Sequence, residues 1–142
     1  MRAKTADASD YKRNLKRYVA DISTRLMVPA PFMQPLEDDD LGPIYEMRIY
    51  TYMPENVPEV LEHWGNAVEA RVKYSPMVGC WYNDAGGRDN WVHMWVYRSF
   101  EERLRIRKEA QDSGIWPPPK APMPPTKQVT KVLWPTAFSP MQ

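Results

Sequence analysis

Seven consecutive residues, Trp91-Val92-His93-Met94-Trp95-Val96-Tyr97, fall into two unlike classes. Alternate residues of a β-strand point to opposite sides of its sheet. A strand here carries aliphatic Val92, Met94 and Val96 on one side and Trp91, His93, Trp95 and Tyr97 on the other. Any fold for the chain must find a partner for each side. The aliphatic side is suited to packing under helices. The ring-rich side, left in water, would be an apolar patch on the order of several hundred Å², which soluble monomers rarely tolerate. It is therefore expected to meet a ligand or a second sheet.

The neighbouring segments fit the same plan. Tyr45 to Tyr52 alternates, with Tyr45, Met47 and Ile49 on one face and Glu46, Arg48, Tyr50 and Tyr52 on the other. Matching aliphatic side to aliphatic side places the second set with the rings. From Asn56 to Tyr74, Val57, Val60, Leu61, Trp64, Val68 and Val72 recur at helical spacing, with Pro58 in the first turn where its missing N–H costs nothing. Met77 to Tyr82 reads as a short strand that adds Trp81 and Asn83 to the ring side, while Cys80 faces the helices with Val78 and Tyr82. Asp84-Ala85-Gly86-Gly87 has the composition of a turn. Ser99-Phe100-Glu101-Glu102 is a capping box opening a helix from Phe100 to about Gln111, which Arg103, Arg105 and Arg107 make basic and Gly114 ends. Six prolines between Trp116 and Pro125 impose an extended loop. A last strand covers about Val129 to Trp134. The order β-α-β-β-α-β predicts an α+β, ferredoxin-like domain: a four-stranded antiparallel sheet with two helices on one face.

One phrase occurs twice. Thr24-Arg25-Leu26-Met27-Val28-Pro29-Ala30-Pro31-Phe32 returns, 106 residues on, as Thr130-Lys131-Val132-Leu133-Trp134-Pro135-Thr136-Ala137-Phe138. That period suits a small domain and is too long for a solenoid unit. With a helix-prone Tyr11 to Asp21 and a β-prone Ile22 to Val28, residues 1–36 read as a helix-strand remnant of a preceding repeat. Residues 37–43 read as an acidic linker, and 44–142 as the complete domain.

Composition excludes more than it assigns. A net charge of +1 argues against nucleic acid, and no apolar run approaches the roughly 18 residues of a membrane span. The single cysteine, Cys80, rules out an internal disulfide framework and fits a reducing, cytoplasmic setting. Gly86-Gly87 lacks the pattern of a phosphate loop. The residues name no cofactor.

Five segments, in order and at matching spacing, resemble the NIPSNAP family: Tyr45-Glu46-Met47-Arg48-Ile49-Tyr50-Thr51, Ser75-Pro76-Met77-Val78-Gly79-Cys80-Trp81, Val92-His93-Met94-Trp95-Val96-Tyr97, Glu102-Arg103, and Pro135-Thr136-Ala137-Phe138-Ser139-Pro140. The resemblance covers about residues 43–142, and it implies a dimeric α+β barrel, with a mitochondrial address should the source be eukaryotic. It implies little chemistry. The departure is the Trp116 to Pro125 segment, where many members continue a helix.

On the expected ring side, His93 is a candidate proton acceptor, relay or ligand-orienting donor, since its ordinary pKa lies near neutrality. Its bland alternative is a hydrogen-bonded structural histidine. Arg48 is a candidate anion clamp and Glu46 a proton acceptor; alternatively the two neutralise each other or pair across a dimer. Tyr50, Trp81, Asn83, Trp91, Trp95 and Tyr97 are candidate ligand-binding walls. No metal site is expected, because His63 lies on the polar face of its helix. Arg103 and Arg107 read as surface residues. The expectation is a homodimer enclosing a small organic molecule between its sheets, with cofactor-light proton transfer or oxidation as its chemistry. The alternative is a non-catalytic scaffold acting through protein partners.

Overall fold

The computed structural model describes residues 17–35, 41–83, 91–119 and 124–141. The elements are β1 (Val28–Pro29), β2 (Ile44–Thr51), α1 (Val57–Val72), β3 (Met77–Tyr82), β4 (Trp91–Tyr97), α2 (Phe100–Asp112) and β5 (Lys127–Leu133), with a short 3-10 turn at Pro54–Asn56 before α1. One sheet, ordered β1-β3-β4-β2-β5, has every neighbouring pair antiparallel. The ferredoxin-like arrangement of four strands and two helices is as expected, and β1 adds a fifth strand at one edge.

The local reasons are legible. Pro58 sits in the first turn of α1. The Glu102 N–H donates to the Ser99 hydroxyl at 3.1 Å, while the Glu102 carboxylate accepts from the Arg98 N–H at 2.6 Å, one residue outside the expected box. Gly114, with φ of +72°, ends α2 in the left-handed conformation that glycine adopts without strain.

At the N-terminus a two-residue strand joins the sheet. Residues 11–16 of the expected helix, the turn at 84–87 and most of the acidic linker lie outside the described residues. Residues 17–21 are not helical, and only Val28–Pro29 of the β-prone stretch pairs, with Tyr82 and Trp81. Ala30 follows, its N–H donating to the Cys80 carbonyl at 2.9 Å, and is 3% exposed. Phe32 then packs on Trp91 and against Gly65. The second copy of the phrase is placed differently: Trp134 is 63% and Phe138 88% exposed.

Register overturns the expected assignment of faces. Glu46 lies opposite Trp95, Arg48 opposite His93 and Tyr50 opposite Trp91, so rings and charges do share one side. That side is under the helices. Trp64 of α1 stands over it, 5.0 Å from the Trp91 ring and 4.5 Å from His93. Trp91, His93, Trp95 and Tyr97 are all buried within the single chain. The side without helices is the aliphatic one, with Tyr45, Met47 and Ile49 of β2 beside Val92, Met94 and Val96 of β4. The expected chamber between two sheets is therefore not where Trp91 and Trp95 point.

The inner stripe of the helices explains the inversion. α2 buries only Ile106 and Ala110 and turns Arg103 and Arg107 toward the sheet. Such a helix cannot cover valines and methionines without stranding its guanidinium groups. A bulge between Met77 and Gly79 also reverses part of β3. Cys80 and Tyr82 pack on the helix side as expected, but Val78 joins Val96 and Tyr45 on the other.

Candidate functional site

Between the helix side of the sheet and the proline segment lies a cavity of about 380 Å³. β2 contributes Arg48 and Tyr50 to its floor and β4 contributes His93; Tyr52 follows β2. Trp64 of α1 and Arg107 of α2 form two sides. Trp116, Pro117, Pro118, Pro124 and Pro125 roof it, and Gln128 of β5 stands at its border. Trp116 is held edge-on against Trp64, 4.6 Å between ring centres. The walls are apolar and flat, with few polar groups among them, as in small-molecule sites generally.

His93 has one possible protonation pattern here. The Trp95 indole N–H donates to its Nδ1 at 2.7 Å. An indole only donates, so Nδ1 must carry the lone pair and the ring proton sits on Nε2. Burial, reinforced by the charges of Arg48, Arg107 and Arg71, holds the ring well below its usual pKa and keeps it neutral. Nε2 makes no hydrogen bond with the described residues. His93 is thus a neutral ring at the edge of the cavity whose proton is fixed on the buried Nε2, and the geometry does not suit the proton-acceptor role expected of it.

Glu46 is a carboxylate with its partners already chosen. It is 0% exposed, and Arg103 grips it with two hydrogen bonds, Nε to Oε2 at 2.9 Å and Nη2 to Oε1 at 2.7 Å. Arg107 lies 3.7 Å and Arg48 3.9 Å from the same Oε1. Burial pushes this carboxyl up, but the Arg103 hydrogen bonds and the three guanidinium charges outweigh it and hold Glu46 below the usual carboxylate range. The expected surface residue Arg103 is therefore the counter-ion of a buried charge. Glu46, ionised and doubly held, is an anchor rather than a proton acceptor. Arg48 meets Glu46 only at that longer distance, and its Nε forms no hydrogen bond with the described residues. Its guanidinium lies 5.2 Å from the centre of the Tyr50 ring. Burial raises the Tyr50 hydroxyl, so it too stays protonated.

The NIPSNAP family model matches residues 45–140, from the start of the β2 alternation past the second copy of the repeated phrase. The chain belongs to the NIPSNAP family. It is 38% identical over 76 residues to Protein NipSnap homolog 3B of Mus musculus, covering 53% of this chain and 31% of that protein. It is 32% identical over 101 residues to Protein NipSnap of Drosophila melanogaster, covering 70% of this chain and 37% of the relative. The chain thus spans about a third of the length of these relatives. Among solved structures, an uncharacterized NIPSNAP domain protein from Burkholderia xenovorans superposes with a TM-score of 0.60 at 26% identity, covering 68% of this chain and 97% of that one. A NIPSNAP family protein from Agrobacterium tumefaciens, at 24% identity, gives a TM-score of 0.63 over 70% of this chain and 98% of its own, a likeness of fold.

In this NIPSNAP domain the expected site residues divide into three groups. His93, Arg48 and Tyr50 meet at the cavity, with Glu46 bound behind them. Trp91, Trp95 and Tyr97 lie on the same side of the sheet but not on that cavity's wall: Trp91 is enclosed under α1, and the Tyr97 hydroxyl accepts a 3.4 Å hydrogen bond from Arg71. Trp81 is on the other side of the sheet, opposite Val92, and half-buried Asn83 just beyond β3 does not line the cavity. Trp64, Arg107 and Trp116 are site residues that the sequence reading missed. For Trp64 and Arg107 a signal existed, an aromatic ring and a basic residue on helix faces that must point inward. Among the described residues no group of three or more His, Cys, Asp or Glu is disposed as metal ligands are, and no helix is long and apolar enough to cross a membrane.

Proposed function

We propose that this NIPSNAP domain binds a small organic anion with a flat, apolar body in the cavity beneath Trp116 and the prolines. The observation that carries the reading is a cavity of about 380 Å³ that joins the neutral, donor-only His93 to the guanidinium groups of Arg48 and Arg107. Arg48 supplies the counter-charge, His93 a neutral floor, and Tyr50, Trp64 and Trp116 the walls. Such a set favours a bound molecule that already carries negative charge, and it supplies no proton acceptor of its own. The aliphatic side of the sheet, Met47 and Ile49 with Val92 and Met94, is the surface we assign to a homodimer that closes a barrel. A second reading, a scaffold working through protein partners, draws support from the exposed Trp134 and Phe138.

Benzoate and its neutral isostere benzamide separate these readings. In a titration followed by tryptophan fluorescence and thermal unfolding, benzoate should bind and stabilise the protein and benzamide should not. Arg48→Gln should remove that preference. Equal or absent responses to the two compounds would leave the scaffold as the better account.

A further inference from the structure

A second cavity, of about 250 Å³, lies on the other side of Trp116 and Pro117 from the first and shares Arg48 and Arg107 with it. Arg71 of α1 and Lys108 of α2 complete its charged lining, so four cationic side chains face one small space. Arg71 is the telling residue. It is 2% exposed, and its hydrogen bonds run to two neutral oxygens, the Ser75 hydroxyl at 2.9 Å and the Tyr97 hydroxyl at 3.4 Å. Its guanidinium stacks 4.1 Å from the centre of the Trp95 ring, and its Nε has no hydrogen-bond partner among the described residues. A buried guanidinium without a carboxylate is costly to hold unless an anion joins it.

The carboxylates nearby do not fill that need. Glu46 is taken by both hydrogen bonds from Arg103. Asp112 holds Lys108 at 2.6 Å, and Glu109 holds Arg105, both at the exposed surface of α2. Around the two cavities, Arg48, Arg71, Arg103 and Arg107 thus gather against the single buried charge of Glu46. Like charges crowd one another here, and the proximity of Arg107 adds to burial in lowering the Arg71 pKa.

We infer that the smaller cavity is an anion subsite that receives a second acidic group, carboxylate or phosphate, of the same ligand whose flat body occupies the larger one. The inference rests on the reading proposed above and narrows it from an organic anion to an organic molecule with two acidic groups. Trp116 marks the boundary between the two halves of the ligand. Arg48 and Arg107 touch both halves, while Arg71 and Lys108 serve only the second.

The experiment compares three probes on the whole chain: benzoate, inorganic phosphate and 4-carboxyphenyl phosphate, each followed by calorimetry and by the indole N–H signals in NMR. The aryl phosphate should bind about tenfold or more tighter than benzoate. Lys108→Glu, at the exposed mouth, and Arg71→Gln should erase that gain and leave benzoate affinity within about twofold. Should Arg71→Gln not fold, Lys108→Glu alone decides. An aryl phosphate that binds no better than benzoate, or a gain that survives Lys108→Glu, overturns the subsite. Phosphate binding without benzoate binding overturns the single-ligand assignment and the earlier reading with it. Benzoate binding that Arg48→Gln weakens, with no gain for the aryl phosphate, overturns the subsite alone.

Discussion

The two sides of this sheet are made from the same strands and obey opposite rules. On the helix side, Glu46 with Arg103 and His93 with Trp95 are directional pairs, and moving one member strands the other. On the other side, Met47, Ile49, Val92 and Met94 meet their neighbours through non-directional contact. The difference teaches where specificity is stored. Helices bridge the gap above the sheet with long or large side chains, so space and charge can be left between layers. An aliphatic surface holds no charge to be matched and is suited to another surface of its kind.

The comparison breaks first at Glu46. Arg103→Met leaves a buried carboxylate without its bidentate partner and should cost about 3–5 kcal/mol in urea unfolding; a loss under about 1 kcal/mol would mean that Arg48 and Arg107 suffice. On the opposite side, a Cβ on Gly79 would collide with the Trp81 ring, which folds back over that glycine. Gly79→Ala should therefore cost about 1–3 kcal/mol, and adding Trp81→Ala should recover part of it. No recovery in the double variant would show that the ring is not what the methyl displaces.

Among the described residues, buried His93 and Glu46 place pH-sensitive groups on the helix side. His93 stays neutral when folded but takes up a proton near 6.5 when unfolded. Unfolding therefore binds a proton below that pH. The His93 contribution is fully present above 6.5 and declines as pH falls, by at most about 1.4 kcal/mol per pH unit. Glu46, with its folded pKa lowered from 4.5, adds a separate loss at lower pH. His93→Gln should flatten the slope between pH 6.5 and 5, measured by chemical denaturation; an unchanged slope would place its origin elsewhere. The smallest change in stability should come from Met94→Lys, under about 1 kcal/mol. Its effect should appear in sedimentation, as a dimer converted to monomer. A dimer that tolerates lysine there would move the subunit interface off this face.

Both helices and the strand order were readable because their signals are local: the apolar spacing from Val57 to Val68, the Ser99 cap, the alternation of Tyr45 to Tyr52. Which side the helices cover is not local. Val92, Met94 and Val96 look like core on their own, and only the inner stripes of the helices contradict them. Arg71, seven residues after Trp64, continues the α1 stripe with a charge, and α2 turns Arg103 and Arg107 inward. Those residues demanded a polar face opposite, and Glu46 was available to meet them. Trp116 carried no comparable sign, since a ring inside a proline-rich segment has no periodicity to give its direction. Nor could the sequence show that Trp95 would claim Nδ1 of His93, because a tautomer depends on a contact between two side chains on one strand. The Val78 placement failed for a bulge, which shifts parity without any change in composition.

Pro29 gives the sheet a direction of growth. With Ala30 N–H turned inward to Cys80, the alternate position faces outward, and proline has no N–H to offer there. At that position the β1 margin has no donor for a further strand, whereas β5 at Lys127–Leu133 carries no proline. A proline at one margin hinders strand addition there, a common guard against edge-to-edge aggregation.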